Sequence, residues 1–114
     1  MKNINLEIFR GDSKNYKLIL TDNSGNPIDL TGKTVIFTVK KSENDDDSNA
    51  KIQKVITTHT DPVNGKTEIS LLPDDTELEP DTYIFDIQLS DNQFVHTVVT
   101  GRFIVKADIT RRRL

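Results

Sequence analysis

The sequence predicts an all-β protein, an antiparallel β-sandwich of about seven or eight short strands, and three observations carry that prediction. The first is residues 78–89, where Tyr83, Phe85, Ile87 and Leu89 alternate and Asp86 and Gln88 fall between them. Period two is the pattern of a strand with one buried face. Leu78 and Pro80 turn the chain just ahead of it. A tyrosine that opens a core strand after such a corner ties many sandwiches together, with its ring in the core and its hydroxyl bonded to backbone a few residues upstream. The second observation is that turn-forming clusters recur at short intervals along the whole chain. The third is that no segment carries a convincing helical period.

The elements follow in order. Residues 4–9 form a first strand with Ile4, Leu6 and Ile8 on one face, ended by Gly11-Asp12-Ser13. Residues 16–21 form a second, with Tyr16, Leu18 and Leu20 alternating. Asp22-Asn23-Ser24-Gly25-Asn26-Pro27 is a loop, because Asn and Asp fold onto their own backbone, Gly supplies positive φ and Pro fixes φ. After it, Asp29 closes a turn onto the Thr31 amide and Gly32 takes the left-handed conformation. Residues 34–41 are the third strand, with Val35, Phe37 and Val39 inward. The polar, acidic stretch 42–49 is a mobile loop. Residues 51–58 are a more polar fourth strand at a sheet edge, where Lys51 and Lys54 blunt pairing.

Asp61-Pro62-Val63-Asn64-Gly65-Lys66 reads as a hairpin turn of the Asn-Gly type. Residues 67–72 are the fifth strand, and Pro73-Asp74-Asp75-Thr76 a single 3₁₀ turn with an aspartate capping its first amides. Residues 82–90 are the sixth strand and 94–100 the seventh. Gly101 interrupts it, and 102–108 continues as an eighth strand or as the bulged second half of the seventh. The main alternative architecture is a closed oligonucleotide-binding barrel, which calls for fewer strands and a basic groove with aromatics.

With 114 residues the chain is expected to form one sandwich domain over 1–110, followed by a basic C-terminal tail at 111–114. There is no cysteine, which excludes a disulfide framework and a thiolate metal site. The net charge is −3, and the three terminal arginines mask a more acidic body, a poor match to duplex DNA. No window approaches the apolar length of a membrane span, and no secretory leader is visible. Neither nucleic acid nor a membrane is an expected partner.

Few residues invite a chemical reading. Arg10-Gly11-Asp12 is an integrin-recognition tripeptide, but a strand end followed by a Gly-Asp turn explains it. Glu43-Asn44-Asp45-Asp46-Asp47 has carboxylates that suit calcium, without the spacing or the downstream bidentate glutamate of a calcium loop. His59 and His96 are the two histidines, and both read as partly exposed, non-catalytic residues. No Gly-x-Ser-x-Gly elbow or glycine-rich phosphate loop is present. Asp74 and Asp75 are more simply capping residues. Arg111, Arg112 and Arg113 form a basic cluster suited to an acidic partner or to a solvated end. No catalytic residue, metal ligand or cofactor is expected.

The order and spacing of several short motifs do carry a resemblance. They are Arg10-Gly11-Asp12-Ser13, Asp22 with Gly25, Pro27-Ile28-Asp29-Leu30-Thr31-Gly32 and Thr34-Val35-Ile36-Phe37. Further on come Leu72-Pro73-Asp74-Asp75-Thr76, and Tyr83 with Asp86-Ile87-Gln88-Leu89. Thr97-Val98-Val99-Thr100-Gly101, Phe103-Ile104-Val105 and Asp108-Ile109-Thr110-Arg111 complete the set. With these, nearly the whole chain resembles the immunoglobulin-like N-terminal domain of the phage baseplate upper protein of tailed phages of Gram-positive hosts. The resemblance implies an immunoglobulin-like sandwich that attaches a longer protein to a baseplate. It implies location in the virion after synthesis in the bacterial cytoplasm. That family runs on into a linker and further domains, so the expectation is a short stand-alone phage or prophage tail protein, or a fragment.

The function expected is therefore that of a non-enzymatic structural module, docking to other tail or baseplate proteins or to further copies of itself. The partner-binding candidates are Phe103 and Val105, if the run from Gly101 to Asp108 lies at a sheet edge and extends a neighbour's sheet, and the tail residues Asp108, Thr110, Arg111, Arg112 and Arg113. The alternative is a carbohydrate- or cell-surface-binding sandwich, which calls for an aromatic platform. Phe9, Tyr16, Phe37, Tyr83, Phe85, Phe94 and Phe103 mostly occupy core-like positions instead.

Overall fold

Alternating apolar residues, cut at short intervals by Gly, Asn, Asp and Pro, fold into strands in a computed structural model of the chain, which describes residues 2–91 and 93–110. Seven strands are present among them: β1 (Lys2–Phe9), β2 (Lys14–Ile19), β3 (Thr34–Lys40), β4 (Ile52–Ile56), β5 (Lys66–Leu71), β6 (Asp81–Ser90) and β7 (Val95–Lys106). Two 3₁₀ turns, Asp47–Asn49 and Pro62–Asn64, lie on either side of β4. A five-stranded sheet, in the order β1-β7-β6-β3-β4, faces a two-stranded sheet of β2 and β5. This is the expected all-β sandwich. One pairing departs from the antiparallel rule: β1 runs parallel to β7 along its full length, from Lys2 opposite Val99 to Phe9 opposite Lys106.

The inward residues of both sheets make one largely aliphatic core around four rings, those of Phe37, Phe85, Phe103 and Tyr83. Phe37 lies 5.7 Å from Phe85 and 6.2 Å from Phe103, in tilted and edge-on contacts. Leu30, Val35 and Phe37 are wholly buried, and Ile69 and Leu71 close the core from the two-stranded side. Tyr83 is 4% exposed, and its hydroxyl donates to the Glu79 carbonyl at 2.6 Å. The tyrosine corner read from residues 78–89 is present.

Asp29 accepts from the Thr31 amide at 2.9 Å, and Gly32 has φ 74°, as its turn requires. The Asp61-to-Lys66 turn does not behave as expected. It closes as a tight reversal, with Asp61 and Lys66 exchanging amide–carbonyl bonds at 3.1 and 3.0 Å, but it does not join two strands of one sheet, because β4 belongs to the large sheet and β5 to the small one. Its job is to carry the chain across the sandwich. Gly65, at φ 73°, is buried there, and its carbonyl accepts from the Leu20 amide at 2.8 Å. A β-carbon on Gly65 would lie 2.5 Å from the Leu20 carbonyl oxygen, so the glycine serves a close approach as well as a turn. Residues 73–76 form a hydrogen-bonded turn rather than a 3₁₀ helix. Asp75 there accepts from the preceding Leu72 amide at 2.8 Å, not from the turn's own first amides.

The break expected at Gly101 lies elsewhere. Ile87 pairs with Val99 and Gln88 with Thr97, so Val98 is the extra residue of a bulge and β7 runs on unbroken through Gly101. Gly101 pairs with Ile4, and a β-carbon on it would overlap the Ile4 carbonyl. The glycine marks the place where β1 lies against β7, a close backbone approach rather than an interruption.

Candidate docking surface

Residues widely separated in sequence meet where β1 ends and β7 finishes. Arg10 follows β1 directly, and its amide donates to the Lys106 carbonyl at 2.8 Å. Its Nε donates to Asp108 Oδ1 at 2.9 Å, and the Asp108 side chain is only 7% exposed. Gly11, at φ 81°, turns the chain so that its amide reaches the Thr76 carbonyl at 3.2 Å. The buried Thr76 hydroxyl donates to the Asp12 carbonyl at 2.7 Å. Residues 10–12, Thr76 and Asp108 thus form one hydrogen-bonded junction. A charged pair with a nearly buried carboxylate holds well when both partners are in place.

The junction decides two sequence readings. The Arg10-Gly11-Asp12 tripeptide is a turn whose arginine is committed to Asp108, which is not the presentation of an adhesive loop. Asp108 is an internal anchor for the segment that leaves β7. Beyond it, Ile109 is 99% exposed and Thr110 is exposed. Arg111, Arg112 and Arg113 lie outside the described residues.

The other half of the expected surface requires correction. Phe103 is 0% and Val105 2% exposed, because β7 is flanked by β1 on one side and β6 on the other. The condition that the run from Gly101 to Asp108 be an edge is not met. Both side chains point into the core and are unavailable to a partner strand. Among the described residues, the edge strands of the large sheet are β1 and β4. β4 is the edge strand expected, and Lys54 on it pairs with Asp75 at 2.9 Å. Burial pushes the Asp75 carboxyl up, but the Leu72 amide and Lys54 together hold it below its ordinary value.

On the outer face of the large sheet lies a groove of about 390 Å³, lined among others by Ile36, Ile84, Lys40, Asp47, Asp86 and Gln88. Lys40 Nζ reaches Asp47 Oδ1 at 2.6 Å and the Asp45 carbonyl at 3.0 Å, so the acidic loop is folded back onto the sheet. The Asp47 bond raises the Lys40 pKa, against the opposing effect of burial. Burial raises the pKa of Asp86, Lys40 lowers it in part, and Asp47 adds to the rise. Among the described residues no group of three or more His, Asp or Glu is placed to hold a metal ion. Nor is any helix among them long and apolar enough to cross a membrane.

His59 is half-buried and bridges the layers. A carbonyl only accepts, so Nε2 donates to Lys33 O at 2.7 Å, and Nδ1 accepts from the Thr67 hydroxyl at 2.9 Å. Lys33 leads into β3 and Thr67 lies in β5, so this histidine staples one sheet to the other. His96 is exposed, and its ring stacks on Phe94 at 6.0 Å between centroids. Phe9 and Phe94 are the exposed aromatics among the described residues, at 50% and 58%. They flank opposite ends of β7 and form no common platform.

Sequence reasoning missed the anchoring role of Arg10, the exposure of Ile109 and the edge position of β1. No local pattern signals that Arg10 meets Asp108 across 98 positions. The one clue was that both belong to the motifs that carry the resemblance. Compared with known protein families and with curated proteins, the chain matches no family model and no curated sequence.

Proposed function

We propose that this chain is a non-enzymatic assembly module of the phage tail or baseplate type, docking into a larger protein structure through the segment that leaves β7. The single observation that supports the reading is the Arg10–Asp108 junction. Three of the motifs behind the resemblance, at residues 10–13, 72–76 and 108–111, converge on it. The junction fixes the start of the exit segment and leaves Ile109 uncovered directly afterwards. An apolar side chain beside a basic cluster suits a protein partner with a small apolar pocket rimmed by carboxylates.

The test is affinity capture from a lysate of a tailed phage of a Gram-positive host, using the whole chain and a chain ending at Asp108. The expected result is retention of a tail or baseplate protein by the whole chain and its loss on truncation, with melting temperature unchanged. Equal capture by both, or capture of no virion protein, overturns the proposal. The second reading, a carbohydrate-binding sandwich, draws on the outer-face groove with its mixed polar and apolar lining. Binding on a glycan array that Asp86→Ala abolishes would favour it over docking.

A further inference from the structure

We propose that β1 is a self-association edge, through which two copies of this chain pair antiparallel about a two-fold axis at Asn5 and join their large sheets into one. The inference stands apart from the docking reading, because it uses a different edge and needs no other protein. Unpaired strand edges are templates for further pairing, and proteins ordinarily block them with charges, prolines, bulges or short strands. β4, at the opposite edge of the same sheet, is protected by its length, only five residues. In the small sheet β2 carries Lys14 and Lys17. β5 is flanked by His59 and Thr60, whose side chains bond Thr67 and Glu68.

β1 is eight residues long, without proline or bulge, and Asn3 to Leu6 carry no charge; its Glu7 is paired with Lys106 at 3.0 Å. Its inward side chains are also incompletely covered, because a two-stranded layer faces a five-stranded one. Ile8 is 6% exposed, but Ile4 is 38% exposed and Leu6 half-buried.

The sequence of β1 selects the occupant and the register. Residues directly opposite across an antiparallel pair project to the same face. Two copies of β1 must therefore pair Ile4, Leu6 and Ile8 among themselves, and Asn3, Asn5 and Glu7 among themselves. Setting Glu7 opposite Glu7 opposes like charges, and centring on Leu6 sets the exposed Ile4 against Ile8, which the fold already buries. Centring the pair on Asn5 places Glu7 opposite the Asn3 amide and Ile4 opposite Leu6, twice each by symmetry. The two inward residues that the fold leaves uncovered then cover each other. A self-complementary patch of this kind is what a closed two-fold dimer needs.

Asn5 is exposed on the outer face and the chain has no cysteine, so Asn5→Cys introduces a single thiol on the predicted axis. Directly opposed Cα atoms in an antiparallel pair lie about 4.5–5.5 Å apart, within disulfide reach. Asn3→Cys, four positions off its own copy, lies roughly 13 Å away and beyond that reach. The isolated whole chain is expected to show a concentration-dependent dimer in sedimentation, and Asn5→Cys a covalent dimer on oxidation that Asn3→Cys does not form. Asn5→Lys, which sets like charges on the axis, should weaken the dimer roughly fivefold, with recovery in high salt and an unchanged melting temperature at dilutions where the chain is monomeric. A wild-type chain that stays monomeric across the dilution series overturns the proposal. So does a dimer indifferent to Asn5→Lys, or equal cross-linking from positions 3 and 5.

Discussion

Replacing Tyr83 with phenylalanine separates the two things the tyrosine corner does. The ring of Tyr83 is inserted in the core at 4% exposure, and its hydroxyl reaches back to Glu79 O at 2.6 Å. Phenylalanine keeps the ring, and with it the contact to Lys41, whose Nζ lies 5.4 Å from the ring centroid. It removes only the hydroxyl. Glu79 is an exposed residue. Provided water reaches the vacated carbonyl, the loss is that of one ordinary hydrogen bond, about 1 kcal/mol. For a domain of this size that is about 4 °C in melting temperature. Alanine removes the ring as well and leaves a cavity, at a cost of about 4 kcal/mol. Thermal unfolding followed by circular dichroism, with urea titration for the free energies, measures both. The reasoning fails if Tyr83→Phe matches wild type within about 0.3 kcal/mol, or if it is as damaging as Tyr83→Ala.

Two further perturbations follow from the sheet. Gly101→Ala would drive a β-carbon into the Ile4 carbonyl, so β1 must move off β7 at a cost of roughly 3 kcal/mol. Hydrogen exchange should report it as lost protection in β1 with β3 and β6 unaffected, and an unchanged exchange pattern would refute the close approach. Asp86→Asn should stabilise the protein at neutral pH. Burial raises the folded-state pKa of Asp86 above its unfolded value, so the native state holds its proton to higher pH. Stability is therefore lost as pH rises through that window, and the penalty is complete above it. The gain from asparagine should be largest at neutral pH and vanish in acid, below the ordinary carboxylate range. A gain that is the same in acid would exclude a charge effect.

Local pattern alone was enough for much of this protein. The alternation of Val35, Phe37 and Val39 and of Tyr83 to Leu89 fixed which face is buried, because side chains on a strand alternate whatever the strand pairs with. The corner before Tyr83 and the Asp29–Thr31 turn were equally legible, since each closes a hydrogen bond within a few residues. The polar character of β4 marked it as an edge before any pairing was known.

Pairing itself is not a local property, and there the tertiary structure decided. An Asn-Gly sequence turns the chain, but it does not say whether the next strand returns to the same sheet. Here β5 crosses to β2, because that layer must close over the core. Likewise β1 lies parallel on β7, which buries Phe103 and Val105, converts Gly101 from a break into a contact and leaves β1 as an edge. Arg10 finds Asp108 only once that pairing has brought the two ends of the chain together. Such contacts depend on which strands the closing core makes neighbours, and no short-range periodicity encodes that choice.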